Sequence, residues 1–216
     1  MLKRGGKRAF HRRGERPDLG EAWFGDRRGV ASIIPSMEQD IARILIPRDQ
    51  ILHRVKELAR EIDQAYADDS EGLIIVPILA GSIIFLADLI RCLPFKMRIG
   101  LMTLSRYRGE TTVGGETKLV QDLSVDIRGR HVLIVDDILD SGGTLTAVRK
   151  HLMEREPADI KVCVLLRKPS KAPKERLADF VGFDIEDVFV VGYGLDYDGH
   201  YRNWPDIGVL RPEMYA

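Results

Sequence analysis

The sequence predicts an α/β domain with a central, mostly parallel sheet flanked by helices. Two observations predict it. Apolar runs at 72–79, 131–136 and 160–166 are short and near-continuous, as expected of strands covered on both faces. Segments of helical period or composition lie between them, and that alternation is the signature of parallel strands joined by crossovers.

Taken in order, Pro47 suits the first position of a helix. Ile51, Leu52, Val55, Leu58, Ala59, Ile62 and Tyr66 follow at amphipathic spacing, so a helix is expected to about residue 68. Residues 72–79 read as a strand buried on both faces, 81–91 as a helix and 96–104 as a second strand. A loop rich in glycine and threonine fills 105–117, and 118–123 returns as a short strand. The run 131–136 ends in a glycine turn, 144–155 has helical composition, and 160–166 and 188–191 supply two more strands.

The chain has 216 residues, 33 Lys+Arg against 33 Asp+Glu, and 44% hydrophobic residues. That is soluble globular composition, and it excludes wholesale disorder and collagen-like structure. The zero net charge is uneven. Residues 1–36 hold nine of the basic and four of the acidic groups, which leaves 24 basic and 29 acidic groups in 37–216. This Arg- and Gly-rich stretch has no structural period and is expected to be a basic, disordered extension preceding a domain at 37–216. The plainest account of it is translation starting at Met37, and a basic arm touching nucleic acid or an acidic partner is the alternative. No secretory signal is read at the N-terminus. The apolar stretch 73–90 is broken by Pro77, Gly81, Ser82 and Asp88, and reads as strand, turn and helix rather than a membrane span. Cys92 and Cys163 are the only cysteines, so a reducing, cytoplasmic location is expected, and the five scattered histidines give no zinc spacing.

The chemistry concentrates in VLIVDDILDSGGTL at 132–145. A buried strand delivers Asp136 and Asp137, and a short turn then carries Asp140, Ser141, Gly142 and Gly143 to Thr144 at a helix start. Glycine amides, two hydroxyls and a helix N-terminus together make an anion cup. Adjacent carboxylates suit vicinal hydroxyls or Mg²⁺, and ligands of open α/β sheets bind at the carboxyl ends of strands. The run is neither a Walker loop nor a dinucleotide fingerprint. Asp140 taken alone would pass for a helix N-cap, and the glycines for a plain turn.

This run resembles the phosphoribosyl pyrophosphate (PRPP) motif of type I phosphoribosyltransferases. Downstream, LLRKP (165–169), DFVGF (179–183) and FVVGYGLDY (189–197) are similar to the hypoxanthine-guanine branch of that family. The similarity runs from about residue 41 to 212. It implies the type I fold, with a small hood built from N- and C-terminal segments, and Mg²⁺-dependent transfer of the phosphoribosyl group from PRPP to hypoxanthine or guanine. The products would be IMP or GMP and pyrophosphate, and the enzyme a homodimer or homotetramer serving purine salvage.

The resemblance also implies roles. Asp140 matches the acid/base residue near purine N7, where a carboxylate takes a proton and offsets developing positive charge. Residues Asp140 to Thr144 would cradle the 5′-phosphate, with Asp136 and Asp137 facing the ribose. The family commonly has one Glu and one Asp at this pair, so two Asp is a departure. Leu79, Ala80, Gly81 and Ser82 match the pyrophosphate loop, where a non-proline cis peptide is typical. Many relatives have Lys at the position of Ala80, so only the backbone role carries over. Tyr107 matches the tyrosine of a catalytic lid that keeps water from an oxocarbenium-like centre. Lys168 matches the lysine that reaches the purine 6-oxo group, since an ammonium donates and never accepts. Phe189 would stack on the base and Val190 would offer it backbone atoms. Asp196 would face the metal, completing the set Asp136, Asp137 and Asp196, and Arg202 would face pyrophosphate.

Two rival classes share part of this pattern. A xanthine- or guanine-preferring enzyme shares the Asp-Ser-Gly-Gly-Thr cup. RNA-binding regulators of the same fold carry Tyr where this chain has Asp140, and they lack the 189–197 segment.

Overall fold

The computed structural model describes residues 37–67, 72–106, 117–173 and 177–215. The basic stretch 1–36 and Tyr107, expected to belong to a lid, lie outside the described residues.

In chain order the elements are β1 (Ile41–Ile46), α1 (Arg48–Ala65), β2 (Leu73–Pro77), α2 (Ile83–Cys92), β3 (Met97–Ile99), β4 (Thr103–Arg106) and β5 (Thr117–Gln121). There follow β6 (His131–Leu139), α3 (Gly143–Met153), β7 (Asp159–Arg167), β8 (Phe180–Asp184), β9 (Val190–Val191) and β10 (Ile207–Leu210). Five strands form a wholly parallel sheet in the order β3-β2-β6-β7-β8.

Strand pleat divides the core between the two faces of that sheet. Leu73, Ile75, Leu133, Val135, Cys163 and Leu165 pack with α1 and α2 on one face. Ile74, Val76, Val132, Ile134, Val162 and Val164 pack with α3 on the other. Burial on both sides is why these strands read as continuous apolar runs. Helix α1 buries Ile51, Val55, Leu58, Ala59 and Ile62, the stripe its spacing predicted. Pro47 stands one position earlier than expected, as the N-cap, and its carbonyl accepts from Gln50 and Ile51 N–H. At the sheet edge, the Arg54 side chain donates from Nε to Gly182 O at 3.0 Å and from Nη2 to Val181 O at 2.8 Å, so β8 does not present bare carbonyls there.

The structure corrects the sequence reading in four places. Strand β6 runs three residues past Asp136, because Ile138 and Leu139 pair with Leu166 and Arg167, so both carboxylates sit within the strand. The strand expected at 96–104 is two strands. Gly100 N–H donates to Ile75 O at 2.9 Å at the edge of the large sheet, after which the chain leaves to pair β4 with β5 antiparallel. The apolar run at 188–191 shortens to β9 and joins not the parallel sheet but an antiparallel one, β1-β10-β9, made from both ends of the domain. Cys92 is exposed despite its apolar sequence context, whereas Cys163 is buried, and burial pushes its thiol pKa up. No helix among the described residues is long and apolar enough to cross a membrane.

Leu133 is fully buried at the centre of the parallel sheet. Leu133→Ala should lower unfolding free energy by about 2–5 kcal/mol, read from urea denaturation; a loss below about 1 kcal/mol would show that the core closes around the gap.

Candidate active site

Where β6 runs into α3, the N-cap is Gly142 rather than Asp140, with φ 76° and no side chain capping the helix. Its left-handed conformation calls for glycine, and a Cβ there would also lie 2.6 Å from Leu177 Cδ1 and push that side chain aside. Residue Thr146 closes the first intrahelical bond, onto Gly142 O at 2.9 Å. The amides of the first turn are the donors a helix leaves without internal partners, as an anion cup needs.

Facing this cup is the turn after β2. The Leu79–Ala80 peptide is cis, as the resemblance implied. Ser82 is fully buried and its Oγ donates to Ile78 O at 2.7 Å, so its side chain ties the turn together from behind. Gly81 lies against Asp137 so closely that a Cβ would stand 1.6 Å from Oδ2. The carboxylates are further fixed by the backbone: Asp136 Oδ1 accepts from Asp137 N–H at 3.0 Å and Asp137 Oδ1 from Ile138 N–H at 2.8 Å. Asp136 is only 6% exposed.

Four charges meet at the end of β7. Lys168, 7% exposed, places Nζ 3.1 Å from Asp187 Oδ1 and 3.9 Å from Asp140 Oδ2. Lys171 places Nζ 2.9 Å from the same Asp187 oxygen and 4.0 Å from Asp140 Oδ1. The Asp187 carboxyl is held below its usual range by the hydrogen bond from Lys171 first and that from Lys168 second, and Asp187 raises Lys171 in return. Asp140 Oδ1 is buried and accepts no hydrogen bond. Beyond this cluster the Phe189 ring stacks on Tyr215, with centroids 4.8 Å apart and 23° between planes, and meets Tyr197 edge-on at 5.6 Å.

Arg202 and Asp196, expected to face pyrophosphate and metal, form an ion pair at 2.9 Å. The guanidinium also donates to Gly194 O at 2.7 Å, and Asp196 Oδ2 accepts from Gly199 N–H at 2.8 Å.

These groups enclose one cleft of about 900 Å³. The structure brings Leu79, Ala80, Gly81, Asp136, Asp137 and Asp140 together in its wall with Thr144, Lys168, Phe189, Val190, Asp196 and Arg202. Ser82, Ser141, Gly142 and Gly143 stand beside the cleft rather than lining it. Sequence reasoning missed Ile138, Lys171, Asp187 and Tyr215, all of which line it. Asp187 had one usable signal, since a buried lysine needs a carboxylate; nothing singled it out from Asp184 or Glu186 beside it.

Among the described residues, no three His, Cys, Asp or Glu side chains gather closely enough to form a metal cage. The carboxylates at Asp136, Asp137 and Asp196 are nonetheless hard oxygen donors of the kind Mg²⁺ takes. Mg²⁺ is usually held by one or two carboxylates together with water and substrate phosphates, and this donor set fits that mode.

The phosphoribosyl transferase domain model matches residues 47–198. A hypoxanthine-guanine phosphoribosyltransferase of Mycobacterium avium is 42% identical over 180 residues, covering 82% of this chain and 89% of that protein. Its counterpart in Bacillus subtilis is 41% identical over 179 residues, 83% of this chain and 98% of that one. The crystal structure of a hypoxanthine phosphoribosyltransferase from Staphylococcus aureus superposes with a TM-score of 0.78 at 37% identity, covering 85% of this chain and 99% of the other.

The cleft depends on a close approach between two turns: a Cβ on Gly194, whose φ is 104°, would stand 2.2 Å from Gly81 O. Gly194→Ala should therefore cost about 1–3 kcal/mol, seen as a lower thermal midpoint. An unchanged midpoint would mean that the two turns separate freely.

Proposed function

The chain belongs to the phosphoribosyl transferase family, and from that membership we propose that it transfers the 5-phosphoribosyl group of PRPP to hypoxanthine or guanine. The reaction depends on Mg²⁺, yields IMP or GMP with pyrophosphate, and serves purine salvage in a reducing, cytoplasmic compartment by a homodimer or homotetramer.

One observation carries the choice of base. The partly exposed Asp140 carboxylate lines the cleft, and the Lys168 ammonium lies 3.9 Å from its Oδ2. An acceptor and a donor thus stand side by side. A 6-oxopurine protonated at N7 offers the complementary pair on one edge, N–H at N7 and the carbonyl O6 beside it. Adenine places an amine at that edge, and an ammonium cannot accept from it.

In this reading Phe189 stacks on the base, and Val190 presents backbone atoms to its far edge. The amides of residues 141–144 and the Thr144 hydroxyl hold the 5′-phosphate, and Asp136 and Asp137 hold the ribose hydroxyls. The turn at 79–82 and Arg202 receive the pyrophosphate, with Arg202 leaving Asp196 to do so. Asp140 takes the N7 proton and stabilises positive charge on the ribose as the glycosidic bond changes hands. Tyr107 belongs to a lid that excludes water from that centre. Asp136, Asp137 and Asp196 would hold the Mg²⁺ that accompanies PRPP, and the ion would supply charge neutralisation for the leaving group.

The test is a coupled assay with PRPP, Mg²⁺ and each of hypoxanthine, guanine, xanthine and adenine. Turnover is expected with the first two, to be abolished by EDTA and restored by Mg²⁺. Adenine as the best base would refute the role of Lys168, and xanthine as the best would move the enzyme to a xanthine-preferring class. Asp140→Asn should lower kcat by about 10²-fold or more with the KM for PRPP nearly constant. Lys168→Ala should raise the KM for the base far more than that for PRPP, and the reverse pattern would remove Lys168 from the base site.

A further inference from the structure

Two ammonium groups lie near Asp140, and neither comes within hydrogen-bond distance of it. Lys168 and Lys171 converge instead on a single oxygen, Asp187 Oδ1, at 3.1 and 2.9 Å, which leaves them 3.9 and 4.0 Å from the two oxygens of Asp140. We propose that Asp187 is a positioning residue of the base pocket: it seats both lysines so that Lys168 faces the 6-oxo group while Asp140 keeps an oxygen open for the N7 proton. The inference rests on the function proposed above.

The argument is one of competition for counter-charge. Lys168 is buried except where it meets the cleft, so its ammonium has little water and calls for a carboxylate. Among the described residues, Asp140 and Asp187 are the carboxylates within 4.0 Å of its Nζ, and the same two serve Lys171. With Asp187 charged, the cations have a partner on the segment that leads into Phe189, two residues on. Without it, Asp140 inherits both. A carboxylate gripped by two ammonium groups is a poorer proton acceptor, because its charged form is stabilised and its lone pairs are occupied. The same shift carries the Lys168 donor away from where O6 would meet it. Loss of the Asp187 charge is therefore felt twice, in base binding and in turnover. Of the groups that would hold PRPP, Asp136, Asp137 and Thr144 have no ion pair with these lysines, and only Asp140 is shared with the cluster.

The geometry also gives Lys171 a role that depends on Asp187. It is half exposed and is held in the cluster by the Asp187 bond. When Asp187 is neutral, Lys171 becomes a second cation competing for Asp140, and its removal should relieve part of the defect.

The experiment compares wild type, Asp187→Asn, Asp187→Glu and the double variant Asp187→Asn/Lys171→Met in the hypoxanthine assay, with steady-state constants for base and PRPP determined separately. Asp187→Asn should raise the KM for hypoxanthine and lower kcat, each by about tenfold, the scale of one lost charge-assisted hydrogen bond. The KM for PRPP should stay within about twofold. Asp187→Glu should recover most of both losses, and the double variant should recover kcat in part. Unchanged base KM and kcat in a folded Asp187→Asn protein would overturn the proposal. Parallel rises in both KM values, or a double variant worse than the single, would do so too, since either points to a merely structural carboxylate. A wild-type protein inactive with every purine would overturn the functional reading itself, and this inference with it.

Discussion

The site is organised by the way β6 leaves the core. From Val132 to Val135 the strand is fully buried on both faces, and the next residues on the same straight backbone are Asp136 and Asp137. No carboxylate is tolerated deeper in such a sheet without a partner, so the polar chemistry begins where the helices cease to cover it. Continued pairing of Ile138 and Leu139 with β7 carries the strand past the two aspartates and brings Asp140 near Lys168 at the end of β7. Asp137 keeps its place because residue 81 is glycine, since a Cβ there would collide with the carboxylate.

The second sheet depends on that arrangement. Its loop contributes Gly194, whose backbone rests on Gly81 O, and its helixward anchor is the Tyr193 hydroxyl, which donates to Asp88 Oδ2 on α2 at 2.6 Å. Burial, followed by the Asp88 contact, pushes the pKa of that phenol up, so it remains a donor throughout the ordinary pH range. Arg211 N–H donates to Asp40 O and the Tyr201 hydroxyl to Asp40 Oδ2, which joins the two ends of the domain around β10. An antiparallel sheet this small gains little by itself, but tied to α2 and to the 79–82 turn it holds Phe189 over the cleft.

Each cation of the cleft faces a carboxylate, and Asp136 and Asp137 add two further carboxylates to its wall. Lys168 and Lys171 are matched by Asp187 and Asp140, and Arg202 by Asp196. In the proposed reaction an anionic substrate would be received partly by exchange of partners, with phosphate oxygens replacing a carboxylate on Arg202 and the base carbonyl joining Asp187 on Lys168. The cost of desolvating each cation is thus shared between the protein and the ligand, and the specificity of the exchange comes from distances that the strands set.

Much of this was legible in the residues. The two-sided strands, the α1 stripe, and the run from Asp136 to Thr144 follow from periodicity and from the chemistry of glycine, hydroxyl and carboxylate, because those signals are local. Strands β1, β8 and β10 were not legible as strands. Each is short, and each exists because it has a partner distant in sequence, as Ile41 has in Leu210 and Phe180 in Cys163. The ion pair between Asp196 and Arg202, the stacking of Tyr215 on Phe189, and the capture of two lysines by Asp187 were likewise decided only by tertiary structure. A residue type states what a side chain can donate or accept. Which of several neighbouring carboxylates stands within 3 Å of a given ammonium depends on loops and strand registers that no local pattern encodes.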